Sequence, residues 1–501
     1  MMVSLKLLLS SLPFLVNAQT WCGKNYMEGS PIVPPGGQFQ YPETSDVPLL
    51  NLQCSPAVKP YLQGEAVSII VDSRITFSKV SGAAPLGTYP PKSFEVTAIL
   101  NGQSHQLGHV QLNSTGTEFS LPTNSLVARK EPYTITCVAK LATQTYETTT
   151  QLLYLEPPAK GSVTKQDFKT GSLLVKNGNS WEPIFPIGFY TTFDGYLSFR
   201  SDGRTRSLVD VRYAITSVTE QVNMIKDRSN LLLWYTGDEP DGTSDPLNAT
   251  VITKELINNL DGGGYHPVSL VLNCENYYFA EYSAGADVLM QDTYIPTSNI
   301  SDYGDCGCDN CKGNFQDIST RVDEFKQRLD LLGRSRSTTV WSVPQAFGMD
   351  TYWPRFPTGQ EWLVESILGI NHGSFGIIPW DDPTSAGIRW GSSALAAAVP
   401  RIIQFLATPG VEVTQSLENG VDTAFWQLPG TETSLFLVAN TNYQNVSLTL
   451  NVPQNTNRVE ILNGGATLSG APGEIVLNLN ATATSGWVFE GEVSVKTIKL
   501  T

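Results

Sequence analysis

Apolar and polar positions alternate with a period of two over much of residues 65–155. Ala66-Val67-Ser68-Ile69-Ile70-Val71, Phe94-Glu95-Val96-Thr97-Ala98-Ile99-Leu100 and Tyr133-Thr134-Ile135-Thr136-Cys137-Val138 each read as a half-buried strand. Turn residues such as Asn101-Gly102 separate them, so an antiparallel β-sandwich is predicted for 65–158. Upstream, 19–64 is rich in Pro and Gly and reads as an irregular arm; Glu156-Pro157-Pro158 marks a linker. From 180 to 407 the period changes. Short apolar runs (Ile184–Tyr190, Leu231–Thr236, Val268–Asn273, Val288–Tyr294, Thr339–Val343 and Ser374–Pro379) alternate with stretches of helical spacing at Ser319–Leu332, Gly359–Ile370 and Ser392–Leu406. Parallel strands need such crossovers, which predicts an α/β unit. After Pro409-Gly410 the period of two returns in Thr433–Val438, Val446–Val452, Val459–Ile461, Glu474–Leu479 and Trp487-Val488-Phe489, predicting a second β-sandwich over 410–492.

One interval resists this scheme. Two further strands are needed between Tyr190 and Leu231, at roughly 30 residues per βα unit, and Leu208–Lys226 already reads helical. The barrel predicted for 180–407 is therefore expected to be incomplete between 190 and 231.

The first residues change the picture of where the chain works. Lys6, the apolar run Leu7–Leu15 and the small residues Val16 and Ala18 have the form of a cleaved signal peptide, residues 1–18. That run is shorter than the roughly 20 residues a membrane span needs. Secretion without a membrane anchor is expected. The sequons at Asn113, Asn248, Asn299, Asn445 and Asn480 are then candidate glycosylation sites. Seven cysteines are present. Oxidising secretion favours two disulfides among Cys274, Cys306, Cys308 and Cys311 over a zinc site on the same four. One cysteine is expected to remain unpaired among Cys22, Cys54 and Cys137. The net charge of −15 argues against nucleic acid and anionic membranes and is compatible with a neutral or basic polymer.

The chemistry gathers at strand ends. In Leu232-Leu233-Trp234-Tyr235-Thr236-Gly237-Asp238-Glu239-Pro240 an apolar strand runs into two adjacent carboxylates. Glycosidic cleavage needs a carboxylic acid of raised pKa to protonate the leaving oxygen, and partial burial supplies that shift. Glu239 is the candidate acid, and Asp238, Asp292 and Asp381 are candidates for the second carboxylate. Tyr190, Trp234, Asn273, Tyr294, Trp341, Gln345, Trp380 and Asp382 are candidate sugar contacts. Phe347, Glu275 and Tyr277 stand near them in sequence. His105, His109, His266 and His372 show no metal spacing, so neither a metal nor a cofactor is expected. No Gly-x-Ser-x-Gly and no Gly-rich phosphate loop occurs.

The Asp238-Glu239-Pro240 strand resembles the acid/base strand of clan A TIM-barrel glycoside hydrolases. Phe185-Pro186-Ile187-Gly188-Phe189-Tyr190 resembles their first strand, and Trp341–Gly348 with Arg355-Phe356-Pro357-Thr358 resembles a later one. The likeness spans about 180–407 and is especially close to uncharacterised secreted glycoside-hydrolase-like proteins of fungi. It implies a (β/α)₈-type TIM barrel flanked by the two sandwiches, acting as a monomer on poly- or oligosaccharides. It also implies a strand-seven glutamate nucleophile, where this chain has Gln345. Three consequences stay open. Another carboxylate serves; or an N-acetylhexosamine supplies its own nucleophile, with Asp238 stabilising it and Tyr294 binding the acetamide; or the protein binds glycans, or builds the cell wall, without cleaving them.

Overall fold

The structure is a computed structural model. It describes residues 20–25, 36–87, 90–124, 126–141, 144–191, 207–210, 215–295, 309–349, 353–453, 456–470, 473–491 and 493–500. The leader at 1–18, Asn299, Cys306 and Cys308 lie outside the described residues.

Two four-stranded antiparallel sheets face each other near the N-terminus. One carries Thr44–Pro56 and Val67–Ser78, the other Ser93–Leu100 and Tyr133–Leu141. Their inward residues, among them Leu50, Ile69, Val71, Val96, Ala98 and Ile135, make one core, which the Cys54–Cys137 disulfide crosses. The arm expected to be irregular over 19–64 thus contributes a 13-residue strand.

The central unit is parallel. Ser207–Asp210, Leu231–Asp238, Val268–Leu272, Val288–Gln291 and Thr339–Ser342 form a five-stranded sheet in chain order. Parallel bridges continue the row: Ser342 pairs with Ile377, and Ile377 with Ile187; further along, Gln345 pairs with Trp380 and Thr191 with Asp382. The Leu231–Tyr235 side chains are all buried, as a sheet covered on both faces requires. The interval that read as helix from Leu208 instead begins with a strand, Ser207–Asp210, and its helix starts at Ile215. Four residues of Ser-Leu-Val-Asp are too few to show a period.

Helices Gln316–Leu331, Gly359–Asn371 and Ala386–Leu406 cover the later strands. Thr358 caps the second of these through a capping box with Glu361, and Ser385 caps the third. The inner faces of those two helices (Trp362, Leu363, Ile367, Leu395, Ile402) pack against Ala424, Leu435 and Leu437 of the C-terminal sheet. That sheet is one seven-stranded antiparallel sheet, not the two sheets expected for 410–492. Its 17-residue strand Glu474–Glu490 pairs with Val446–Asn451 through its first half and with Thr433–Asn440 through its second, so the sheet folds over its own core. A last strand, Ser494–Leu500, lies beyond the expected end of that unit.

Candidate active site

The C-terminal ends of the parallel strands hold the carboxylates. Asp238 ends its strand, and the Tyr235 hydroxyl donates to its Oδ1 at 2.7 Å. Glu239 follows with φ at 52°, a left-handed turn that breaks the strand's alternation. Both carboxylates can then serve the same rim. From the next strand end, Asn273 Nδ2 donates to Glu239 Oε1 at 3.1 Å and to Asp292 Oδ1 at 3.3 Å. Asp292 is buried and hydrogen-bonded to Glu239; burial, then Glu239 and Asp238, raise its pKa well above the carboxylate range. The pair therefore holds a proton to higher pH than an isolated carboxyl does.

Asp241, absent from the sequence-level candidates, fixes the neighbouring backbone. It is fully buried and accepts N–H bonds from Gly242 (3.0 Å), Asn273 (3.3 Å) and Cys274 (2.8 Å). Burial pushes its carboxyl up to about 7, with Glu239 adding to the shift. Its signal was in the sequence, two residues past Glu239 in the same turn. Tyr294 stays protonated, because burial and the charges of Asp292, Glu239, Asp238 and Asp381 all raise its phenol. Asp381 is half-buried, and burial followed by Asp382 raises its pKa.

Beside these groups lies a cleft lined by the aromatic Tyr190, Tyr235, Tyr294 and Trp380, the apolar Val271, Met290, Val343 and Ile378, and Asp238. Tyr190 and Trp380 stack with ring centroids 4.0 Å apart. Of the expected residues, Asp238, Glu239, Asn273, Asp292, Tyr294, Tyr190 and Trp380 thus come together, with Asp381 adjoining.

Others do not. Trp234 is 0 % exposed and donates from Nε1 to Asp261 at 3.0 Å, on the helix side of its strand. Trp341 is 0 % exposed inside the core, where Gly376 leaves room for its ring. Alternation decides Trp234, whose neighbour Tyr235 lines the cleft, whereas Trp341 shares the inward face of Val343 and is buried by depth along it. Gln345 is also sealed from solvent; its Nε2 donates to Phe347 O at 3.1 Å and its backbone N–H to Glu365 at 2.6 Å. Asp382 is engaged by Arg389 at 3.1 Å, Glu275 by Arg328 at 3.3 Å, and Phe347 packs edge-on against Tyr294.

The cysteines are corrected too. Cys274 pairs with Cys22 and Cys54 with Cys137, so none of Cys22, Cys54 and Cys137 is left over and Cys274 is no zinc ligand. Cys311 is disulfide-bonded as well. These bonds fit an oxidising environment. Asn113, Asn248, Asn445 and Asn480 are exposed or half-exposed. Among the described residues, no helix is long and apolar enough to cross a membrane.

No protein-family model matches this chain, and no curated protein does. Solved structures resemble it distantly. A family 51 α-L-arabinofuranosidase from Bifidobacterium longum aligns over 60% of this chain and 79% of that one, at 9% identity and a TM-score of 0.38. A GH30 endoxylanase from Clostridium papyrosolvens C71 aligns over 63% and 98%, at 11% identity and 0.31. A glycosyl hydrolase family 2 member from Bacteroides cellulosilyticus aligns over 90% and 79%, at 10% identity and 0.29. At these scores the likeness decides nothing about this chain.

Proposed function

We propose that the chain is a secreted glycoside hydrolase on a (β/α)₈-type barrel, with Glu239 as its proton donor. The supporting observation is the Glu239–Asp292 pair. It is two carboxyls in hydrogen-bond contact next to Asp238, which lines an aromatic cleft, and one of the two is buried with its pKa raised well above the ordinary range. A proton held there to higher pH is available to a glycosidic oxygen when Glu239 reaches it. Once the proton leaves, the Asn273 amide donates to both oxygens that receive the charge.

The same contact favours a supporting part for Asp292. Carboxyls that flank a glycosidic bond stand about 5–5.5 Å apart in retaining enzymes and about 6.5–9.5 Å apart in inverting ones. Glu239 and Asp292 touch, so Asp292 tunes the acid and the second carboxylate is another. Asp238 fits: it lines the cleft and is held by Tyr235. There it faces the positive charge that develops on the sugar, or on a substrate's own acetamido group.

The amide Gln345, where the resemblance implies a nucleophile, favours a second reading: a protein that binds glycans without cleaving them. Incubation with wall glycans and aryl glycosides beside Glu239→Gln separates the two. Hydrolysis by the wild type that falls roughly 10²–10⁴-fold in the variant supports the enzyme. Equal rates would remove Glu239 from the role, and binding without release would leave the second reading.

A further inference from the structure

Trp21 and Cys22 stand beside Asn273 and Cys274 in space although 252 residues separate the two cysteines. The Cys22–Cys274 disulfide staples the short ribbon Thr20–Trp21/Lys24–Asn25 onto the strand end that carries Asn273. The Cys22 N–H donates to Gly242 O at 3.3 Å. The indole of Trp21 lies against Gly242, where an added Cβ would come within 2.4 Å of the ring. Any larger residue at 242 would push the ring away. From this seat Trp21 Nε1 donates to Asn273 Oδ1 at 2.9 Å.

We propose that Trp21 is a positioning residue of the carboxyl site, its indole N–H fixing which way the Asn273 amide faces. The inference rests on the hydrolase reading only for its effect on turnover. A carboxamide has an acceptor end and a donor end of nearly the same shape. Turned over, it would present oxygen to Glu239 and Asp292 and repel their ionised forms. An indole N–H is donor only, so it can face only the oxygen. With Oδ1 held by Trp21, Nδ2 is committed to Glu239 Oε1 and Asp292 Oδ1. Asp241 fixes the backbone of Asn273 from one side. Arg321 Nη1 donates to its carbonyl at 2.6 Å from another. Those bonds set where the residue sits, and Trp21 acts on the side-chain amide itself.

The groups around the pair give the pH direction. Asp238 and Asp241 on the 231–241 strand and turn, and Tyr294 beyond Asp292, face it; Asp381 adjoins through Tyr294, and the Arg321 guanidinium lies behind the Asn273 carbonyl. With carboxylates dominating, the Asn273 N–H bonds favour the ionised pair. Losing the commitment raises the pH at which the pair gives up its proton.

The test is Trp21→Phe in the full, disulfide-bonded chain, which keeps a ring and removes the N–H. Carboxyl ¹³C chemical shifts follow the titration of Asp292 and Glu239 without any need for turnover. The expected result is an upward move of that titration, with kcat roughly tenfold to a hundredfold lower and KM little changed. Should Phe not fold, benzothienylalanine at position 21, isosteric with Trp but lacking the N–H, gives the same readings. An unmoved titration overturns the positioning role whether or not the wild type cleaves glycans. A moved titration in a protein that releases no sugar leaves the role standing and sinks the hydrolase reading alone.

Discussion

The strand Val288–Gln291 carries an aspartate just before its first residue and another just after its last, both buried at 3 % exposure. Asp287 meets Lys59 at 2.7 Å and Lys254 at 2.8 Å, and accepts the Val268 N–H at 3.0 Å. Asp292 meets Glu239, with Asp238 and Asp241 close by. Burial acts alike at both ends; the neighbours decide the outcome. Two ammonium groups hold Asp287 far below the ordinary range, while carboxylates leave Asp292 far above it. One end joins parts of the molecule, since Lys59 comes from the N-terminal region and Lys254 from helix Ala249–Leu260. The other end gathers carboxyls and favours the protonated form of Asp292. Buried carboxylates without a cation are costly, and such arrangements concentrate where chemistry is done.

The largest expected effect lies at the paired end. Asp287→Ala leaves two partly buried ammonium groups without their common partner and should cost about 3–5 kcal/mol. Denaturant midpoints read this, and the folded fraction should keep its activity. A loss under about 1 kcal/mol, the range of a solvated pair, would mean that the lysines find water, and the comparison between the ends would fail.

Asp292→Asn should act in the opposite sense. A carboxyl whose folded pKa is raised stabilises the fold at low pH, and that contribution is lost as pH rises from the unfolded value of 3.8 through the folded one. The variant should therefore lose less stability than the wild type between acid and neutral pH. If the hydrolase reading holds, its rate should fall by roughly 10²-fold. The alkaline limb of its pH profile should move toward acid, because Glu239 no longer shares a proton with a second carboxyl. An unmoved limb would detach Asp292 from the acid.

Much of this architecture is legible in the order of residues alone. The change from a period of two to alternating strands and helices marks the central unit, because a fully buried parallel strand must be apolar along its length. The rim residues Asp238, Glu239, Asn273 and Asp292 are legible because each stands where an apolar run stops. Burial is not: Trp234 turns to the helix side of its strand, away from its neighbour Tyr235, and Trp341 shares the inward face of Val343 but lies deep in the core. Partners far along the chain are not legible either. Nothing near Asn273 names Trp21, and cysteine spacing in one cluster suggests a pairing that Cys22, from the far end of the chain, overturns.

A histidine tests the same rule between units. His372 lies between Asp323 at 2.7 Å and Asp422 at 2.9 Å, joining helix Gln316–Leu331 to the C-terminal sheet. Burial lowers its pKa, but the two carboxylates outweigh this and raise it to about 9. Raised means that its contribution is fully present below the unfolded value of 6.5 and is lost as pH climbs through about 9. His372→Gln should remove stability on the order of 2 kcal/mol at neutral pH and flatten the decline between about pH 7 and 10, read from melting temperature against pH.

The smallest effect belongs to an aspartate at the rim. Asp382 carries an ion pair like Asp287, yet its partner Arg389 has a side chain 55% exposed. Water screens that pair and competes for the guanidinium, so Arg389→Ala should cost at most about 1 kcal/mol. What should change is the neighbour. Asp381 is raised by burial and then by Asp382, and a free Asp382 charge repels its ionised form more strongly. Asp381 should then titrate at higher pH in the variant, read by carboxyl ¹³C shifts, while denaturant midpoints barely move. A stability loss as large as that of Asp287→Ala would show that exposure does not separate the two pairs, and that cation pairing alone governs both ends of the sheet.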